Sequence, residues 1–271
     1  MRQTHIIRSG RLATAVGAFA LACTARAGEV SFTQSFTNGT QSASATFVFN
    51  DDGPTTTLSI MLTNTMTANG NPSWLCGLFF DLAGSPTMSY TGLGGDGSDA
   101  FNDMVVIQNG SGSNPDSSSP YNTVIVDHFW GLDQNIGDGL LPFGSQQYGL
   151  GAAGFGVFAS TTVLNLQAGG PLPQLDGSDG GILSGGMLDA GTLNIPNGHT
   201  GRPMVDGGIW LTFDLGEYDL DGAAVSDVVF VYGTSFGEVV LIPVPAALPL
   251  GIAGLAGLLI GRKRLVRRLS S

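Results

Sequence analysis

The feature that most constrains the fold is a two-residue alternation of apolar and polar side chains, repeated in short runs along the chain. Residues 56–65 show it best, because Leu58, Ile60 and Leu62 alternate there with other side chains, most of them hydroxyl-bearing. Successive side chains of a strand point to opposite faces, so this spacing predicts a strand with one buried face. Gly, Asp, Asn and Ser cluster between the runs and mark turns. The pattern is that of an all-β protein.

About ten strands are predicted between residues 29 and 242. Residues 74–82 are apolar on both faces and predict a central strand, and residues 123–130 have the pattern of a strong strand. Residues 83–100 and 131–151 are predicted to be turns and loops. The other predicted strands are 29–37, 45–50, 56–65, 104–108, 155–166, 208–215, 225–232 and 238–242. Short strands without long amphipathic helices favour a single jelly-roll-like β-sandwich domain over residues 28–242.

The first 27 residues have the parts of a secretory signal peptide. Three arginines precede an apolar stretch, residues 12–22, which we expect to form the signal helix. Ala25 and Ala27 form an A-x-A cleavage motif, so the mature chain would begin at Gly28. Cys23 leaves an alternative open, because it and the three residues before it resemble a lipobox with the leucine one place late. In that case Cys23 would carry a lipid.

The last thirty residues combine a proline-bearing motif, an apolar stretch and a basic end. Residues 246–261 carry no polar side chain, and from Ile242 the stretch reaches twenty residues, or about 30 Å as a helix. We therefore expect a transmembrane helix over about 246–261. The basic end, 262–268, would stay cytoplasmic by the positive-inside rule and place the body on the opposite side. Its bases are Arg262, Lys263, Arg264, Arg267 and Arg268.

The proline-bearing motif consists of Pro243, Val244, Pro245, Ala246 and Ala247. With the apolar stretch and the basic end, over residues 243–271, it resembles the PEP-CTERM sorting tail of exosortase substrates, in a Val-Pro-x-Pro-Ala-Ala-like variant. The Glu of the common Val-Pro-Glu-Pro form is absent here. The resemblance implies an exosortase as partner, cleavage near the motif, and only a transient anchor in the inner membrane.

Three segments of the body resemble a family of exosortase-dependent bacterial surface proteins. Residues 58–65 read LSIMLTNT, residues 75–82 read LCGLFFDL, and residues 230–238 read FVYGTSFGE. The family has an LTNT core, an FFD strand and a YGT strand before the sorting tail. This similarity implies a cell-surface or matrix location in a Gram-negative bacterium, with no known catalysis.

The charges are divided sharply between the body and the two ends. All 21 acidic residues lie between Glu29 and Glu238, whereas only one of the ten bases, Arg202, lies between Gly28 and Gly261. The body therefore carries one base against 21 acids, a net charge of −20, although the whole chain carries −11. Such a body excludes nucleic acid as a partner and would meet anionic exopolysaccharide only through cations. Two interpretations remain: a solvated acidic surface, or cation binding.

Calcium is the one cofactor that the acidic residues suggest. Short oxygen-rich Asp/Gly turns supply the ligands that calcium uses, although none here fits a twelve-residue EF-hand loop. A plain Asp/Gly turn is the alternative at each position. The candidate ligands are Asp96, Asp99, Asp103, Asp176, Asp179, Asp219 and Asp221.

The motifs that could indicate an enzyme lack their partners. Residues 233–237 match G-x-S-x-G, but no histidine follows them to complete a triad. His128 and His199 are the only histidines of the body and have no Cys or His nearby, so a zinc site lacks its ligands. We expect His128 and Asp127 on opposite faces of the 123–130 strand. The leading hypothesis is therefore a non-enzymatic exported surface or matrix protein.

The alternative is a carbohydrate-binding β-sandwich at the cell surface. Trp74, Trp130 and Trp210 could stack on sugar rings if they were exposed, although each lies in an apolar run that also suits a core position. Cys76, the single cysteine of the body, is expected to be a buried core thiol.

Overall fold

A computed structural model describes most of the body. The described residues are 18–26, 28–37, 41–51, 54–66, 74–94, 102, 104–108, 111–113, 126–134, 136, 141, 146–152, 158, 163–164, 179–184, 202–233 and 239–241. Ala27, the sorting motif, the predicted transmembrane helix and the basic end lie outside them. No helix within these ranges is long and apolar enough to cross a membrane.

The described chain is all-β and forms two sheets. Its strands are β1 Ala18–Arg26, β2 Glu29–Thr37, β3 Ser42–Asn50, β4 Thr57–Asn64, β5 Leu75–Leu82, β6 Ser89–Leu93, β7 Met104–Gln108, β8 Ser111–Ser113, β9 Gly131–Gln134, β10 Tyr148–Gly151, β11 Ile182–Leu183, β12 Pro203–Asp206, β13 Gly208–Asp214, β14 Val225–Tyr232 and β15 Val239–Leu241. The described helices are 3₁₀ turns, Val126–Phe129 and Leu220–Gly222.

One sheet has six strands in the order β1-β2-β3-β4-β13-β6. The other follows the order β15-β14-β5-β11-β12-β7-β8, and β10 pairs with both β5 and β9. All described pairings are antiparallel except β11 with β12. Because β5 pairs with β14 and β10 and is buried along almost its whole length, it is the central strand that its apolar sequence predicted.

The inner faces of the two sheets share one core. In β3 and β4 every second residue is buried, as their alternation requires. Phe47 of β3 packs edge-on against Phe80 of β5, with the ring centroids 5.1 Å apart. Asn64 at the end of β4 donates a hydrogen bond of 2.9 Å to the carbonyl oxygen of Ile182 in β11. Contacts of both kinds therefore tie one sheet to the other.

The sequence pattern predicted several strands well. Strands over 29–37, 104–108 and 225–232 have the predicted bounds, and Ile209, Leu211 and Phe213 are buried together on β13 as expected. The turn and loop predictions for 83–100 and 131–151 were incomplete, because these ranges contain β6, β9 and β10. The all-β fold class is confirmed.

The predicted strand at 123–130 is wrong, because Val126–Phe129 forms a 3₁₀ helix with all four residues buried. The turn brings both Asp127 and His128 into the interior instead of placing them on opposite faces of a strand. Asp127 accepts a hydrogen bond from the Tyr90 hydroxyl. The indole of Trp130, just after the turn, donates a 2.9 Å hydrogen bond to the Gly180 carbonyl oxygen. These contacts outweigh the local β-propensity.

Strand β1, residues 18–26, covers the second half of the predicted signal helix, residues 18–22, and the four residues that follow it. β1 pairs with β2 over nine residue pairs, from Ala18 opposite Thr37 to Arg26 opposite Glu29. Gly28 makes the turn between them with a φ of 76°. Pairing along the edge of β2 satisfies the backbone groups of this segment, so a strand takes the place of the expected helix. Ala25 lies in β1 and Gly28 at the turn.

We predict that Phe47→Ala destabilises the protein by about 3–5 kcal/mol, since it removes a fully buried ring from between the sheets. Val48→Ala is the matched control, because Val48 is the next residue of β3 and points to the half-buried outer face. Urea denaturation of both variants measures the difference. Equal losses of unfolding free energy would contradict a core shared by the two sheets.

Candidate functional site

The outer face of the six-stranded sheet carries rows of hydroxyl groups, which we call the hydroxyl face. Because β2, β3 and β4 alternate apolar residues with mostly hydroxyl-bearing ones in matching register, and Thr212 of β13 lies beside Ser59, the hydroxyls come together on the side away from the core. The hydroxyl face consists of Thr33, Ser35, Thr37, Ser42, Ser44, Thr46, Ser59, Thr65 and Thr212.

The hydroxyls pair across neighbouring strands. Thr33 and Thr46 have their Oγ1 atoms 3.0 Å apart, and the Oγ atoms of Ser35 and Ser44 are also 3.0 Å apart. Ser42 continues the row to Thr65, with an oxygen–oxygen distance of 2.6 Å. Each hydroxyl can donate once and accept twice, so lateral pairing leaves acceptor capacity for an outside ligand. An array of this kind suits a ligand that itself carries many hydroxyl groups.

Among the three tryptophans, only Trp210 is partly accessible. Trp74 and Trp130 are 8% and 0% exposed, so neither can stack on a sugar. Trp210 of β13 is half-buried and lies between the buried Ile209 and Leu211, hence on the outward side of the strand. Gly94 packs closely on its ring, where a Cβ would come within 2.1 Å of the indole. The indole is thus held beside the hydroxyl face.

A second feature is an acidic cleft of about 340 Å³ at one end of the sheets, lined by Asp51, Pro54, Thr55, Thr56, Gly216, Glu217, Tyr218 and Asp219. The Thr56 hydroxyl donates a 2.9 Å hydrogen bond to the Tyr218 carbonyl oxygen, which joins the two walls. The Tyr218 ring stacks on Phe49, with centroids 5.7 Å apart, and its hydroxyl donates to the Ala83 carbonyl oxygen. Tyr218 therefore forms a fixed part of the cleft wall, and its hydroxyl already has a hydrogen-bond partner.

The structure brings few of the calcium candidates together. Asp219 and Asp221 are both exposed, and an Asp219 carboxylate oxygen accepts the backbone N–H of Asp221 at 3.0 Å. Asp179 instead receives both hydrogen bonds from Arg202, at 3.0 and 3.1 Å. Within the described ranges, no group of three or more acidic, His or Cys side chains could hold a metal ion. Asp96, Asp99, Asp103 and Asp176 lie outside those ranges, so a site there stays a prediction.

Sequence reasoning missed a pair of carboxylates, Asp81 on β5 and Asp227 on β14. The pairing of these strands is irregular between Ser226 and Val229, and Asp227 has a positive φ of 50°. This bulge brings the Asp227 carboxylate close to Asp81. Asp81 also accepts a 2.6 Å hydrogen bond from the backbone N–H of Gln147. Residues 146 positions apart could not be paired from the sequence, since no local signal marks the bulge.

The environment of Asp81 favours its protonated form. Burial raises the pKa of Asp81 most, the Gln147 N–H lowers it, and the negative charge of Asp227 raises it again. Burial also raises the pKa of Tyr148, to about 12, with smaller contributions from Tyr218 and Asp81. A raised carboxyl pKa binds a proton more tightly in the folded chain than in the unfolded one, so this pair makes stability depend on pH.

Comparison with known proteins identifies no relative. No protein-family model, curated protein or solved structure matches the chain.

We predict that Asp227→Asn stabilises the protein at pH 7 by about 0.5–1 kcal/mol, a small gain because the exposed Asp227 is screened by solvent. The folded-state pKa of Asp81 lies above its ordinary value of 3.8. Its contribution to stability is thus complete below pH 3.8 and is lost as the pH rises through the folded pKa. The gain from Asp227→Asn should accordingly vanish at pH 3.5, in urea unfolding at both pH values.

Asp221→Asn is the control for this prediction, because Asp221 is equally exposed and carries the same charge. It should change the unfolding free energy by less than about 0.5 kcal/mol at either pH. If Asp227→Asn has no effect at pH 7, or the same effect at both pH values, the carboxylate pair does not govern the pH dependence.

Proposed function

We propose that the chain is the precursor of a non-enzymatic surface or extracellular-matrix protein, exported and then sorted by an exosortase through its C-terminal tail. The observation that carries this proposal is the division of charge. Nine of the ten bases lie in residues 1–27 and 262–271, and every acidic residue lies between them. Signal peptides and membrane anchors need bases at these positions to set their orientation in the membrane. The folded body, with a net charge of −20, has no such requirement.

The two ends act in sequence in this proposal. The N-terminal helix starts export, and the helix over about 246–261 holds the body outside the inner membrane while the bases of 262–268 stay in the cytoplasm. Cleavage at Gly28 and near Pro243–Ala247 then releases a jelly-roll-like β-sandwich to the cell surface or the surrounding medium. In lipid both ends are helices, because only helix satisfies the backbone of a single crossing segment.

The all-β fold supports a structural role for the released domain. Its core joins both sheets, its outer face carries uncharged hydroxyls, and its acidic residues are mostly aspartates. Like charges on every copy oppose non-specific association in a crowded matrix. The body thus has the surface of a protein that persists outside the cell.

Intact-mass analysis of the exported protein tests the proposal. In a host with its exosortase, the mature chain should begin at Gly28 and lack residues 262–271, because both processing sites flank the folded body. In the same host without exosortase, the C-terminal residues should remain. Retention of Arg262–Ser271 in both strains would refute sorting and leave a permanent C-terminal anchor.

A second candidate, carbohydrate binding, is favoured by the half-buried Trp210 beside the hydroxyl face. Indole rings stack on the apolar faces of sugars, and neighbouring hydroxyls exchange hydrogen bonds with the sugar hydroxyls. This ligand would be a neutral polysaccharide, because a body of net charge −20 repels an anionic one.

We predict that, if the protein binds a glycan, Trp210→Ala lowers its retention on that glycan at least tenfold, equivalent to about 1.4 kcal/mol of lost stacking. A glycan array with the secreted protein provides the measurement, and circular dichroism checks folding. Glu217→Gln, in the acidic cleft, is the control and should bind like the parent. Unchanged retention of a folded Trp210→Ala variant would exclude this face as the binding site.

A further inference from the structure

Strand β2 depends on β1 to cover its outer edge. β1 is the last strand of the six-stranded sheet, and its central residues Ala22, Cys23 and Thr24 are exposed. Gly28 makes the turn between β1 and β2, and the predicted signal cleavage falls directly before it. Cleavage would separate β1 from the body and leave the nine residues of β2 unpaired along one edge, which is a template for another strand.

We infer that, in the processed protein, β2 pairs antiparallel with β2 of a second copy, with Gln34 opposite Gln34 on a twofold axis. This inference rests on the proposed export and cleavage. It makes the hydroxyl face of one copy continuous with that of the other, since antiparallel pairing about such an axis extends the sheet. The interaction surface is thus a sheet edge that processing exposes.

Gln34 is the residue that points to this partner. With β1 in place it is 4% exposed on the inner side of β2, and even there its Nε2 has no hydrogen-bond partner. A side-chain amide has two donors and an acceptor, and burying it without partners is costly. Two facing Gln34 amides satisfy each other, because each Nε2 donates to the Oε1 of the other copy. A second copy therefore supplies the hydrogen-bond partner that the Gln34 amide lacks in the single chain.

The same register matches the rest of β2. With Gln34 opposite Gln34, Phe32 faces Phe36 of the second copy on the inner side, and Thr33 faces its Ser35 on the outer side. Aromatic pairs and hydroxyl pairs are both favourable across strands. A register centred on Thr33 would instead place Phe32 opposite Gln34 and leave both amides against rings. The sequence of β2 thus selects one register.

Charge also permits association along this edge. Two bodies of net charge −20 repel each other, so a shared edge must keep carboxylates apart. Residues 30–50 contain no charged side chain, and Glu29 lies beyond the paired stretch. At the end of the other sheet, by contrast, β15 directly follows Glu238. The edge of β2 is therefore an uncharged association surface in a strongly acidic body.

Cysteine cross-linking of the exported protein tests the inference. Directly opposite residues of an antiparallel pair have Cβ atoms about 4.5–5.5 Å apart, so Gln34→Cys should form a disulfide-linked dimer under mild oxidation. After cleavage the only other cysteine is Cys76, which is buried. Thr63→Cys is the matched control, since β4 lies two strands from the edge, and it should stay monomeric.

Sedimentation of the unmodified exported protein is the second measurement, with Gln34→Glu as a variant. The parent should dimerise, and Gln34→Glu, which sets the carboxylates of the two copies against each other across the axis, should raise the dissociation constant at least tenfold at pH 7. Circular dichroism verifies its fold. A chain that begins at Gly28 and stays monomeric overturns the inference but leaves export intact. A chain that keeps residues 1–27 overturns both, and a dimer without the Gln34→Cys cross-link overturns the β2 pairing.

Discussion

Two-residue alternation is the constraint on which the rest of the structure depends. Every second residue of β3 and β4 is buried, so each strand offers the core one apolar face. Two sheets are needed because neither can hide that face alone. The contact of Phe47 with Phe80 shows the result, since the rings come from different sheets. The same alternation leaves the opposite side free to vary, and here it carries hydroxyls.

Much of the fold follows from the two-residue alternation, but the segments that depart from it could not be predicted in this way. β2, β7 and β14 have the bounds that their sequences predicted, because alternation and turn residues agree there. The segment Val126–Phe129 has strong β-propensity and still forms a 3₁₀ helix. Its Asp127 is buried and bonded to Tyr90, thirty-seven residues away. Partners so distant in sequence cannot be read from a local pattern, so tertiary contacts decide such segments.

The candidate functional surfaces also differ in how far the sequence alone could predict them. The Ser and Thr residues of β2 and β3 alternate visibly, so a hydroxyl face was within reach of sequence reasoning once their hairpin register was assumed. The half-buried position of Trp210 could not be predicted from the sequence, because its burial depends on Gly94 from a neighbouring segment. The pairing of Asp81 with Asp227 depends on an irregular stretch of β14. Bulges change which side chains meet without leaving a clear mark in composition.

Residues 18–26 show how one sequence can serve two environments. They are apolar enough for a signal helix, and their larger side chains, Phe19 and Leu21, also alternate with alanines as a strand requires. In a membrane, helix is favoured because the segment must satisfy its own backbone. Along β2, the same backbone groups are satisfied instead by nine residue pairs. The fate of the β2 edge therefore depends on whether residues 18–26 stay paired with it.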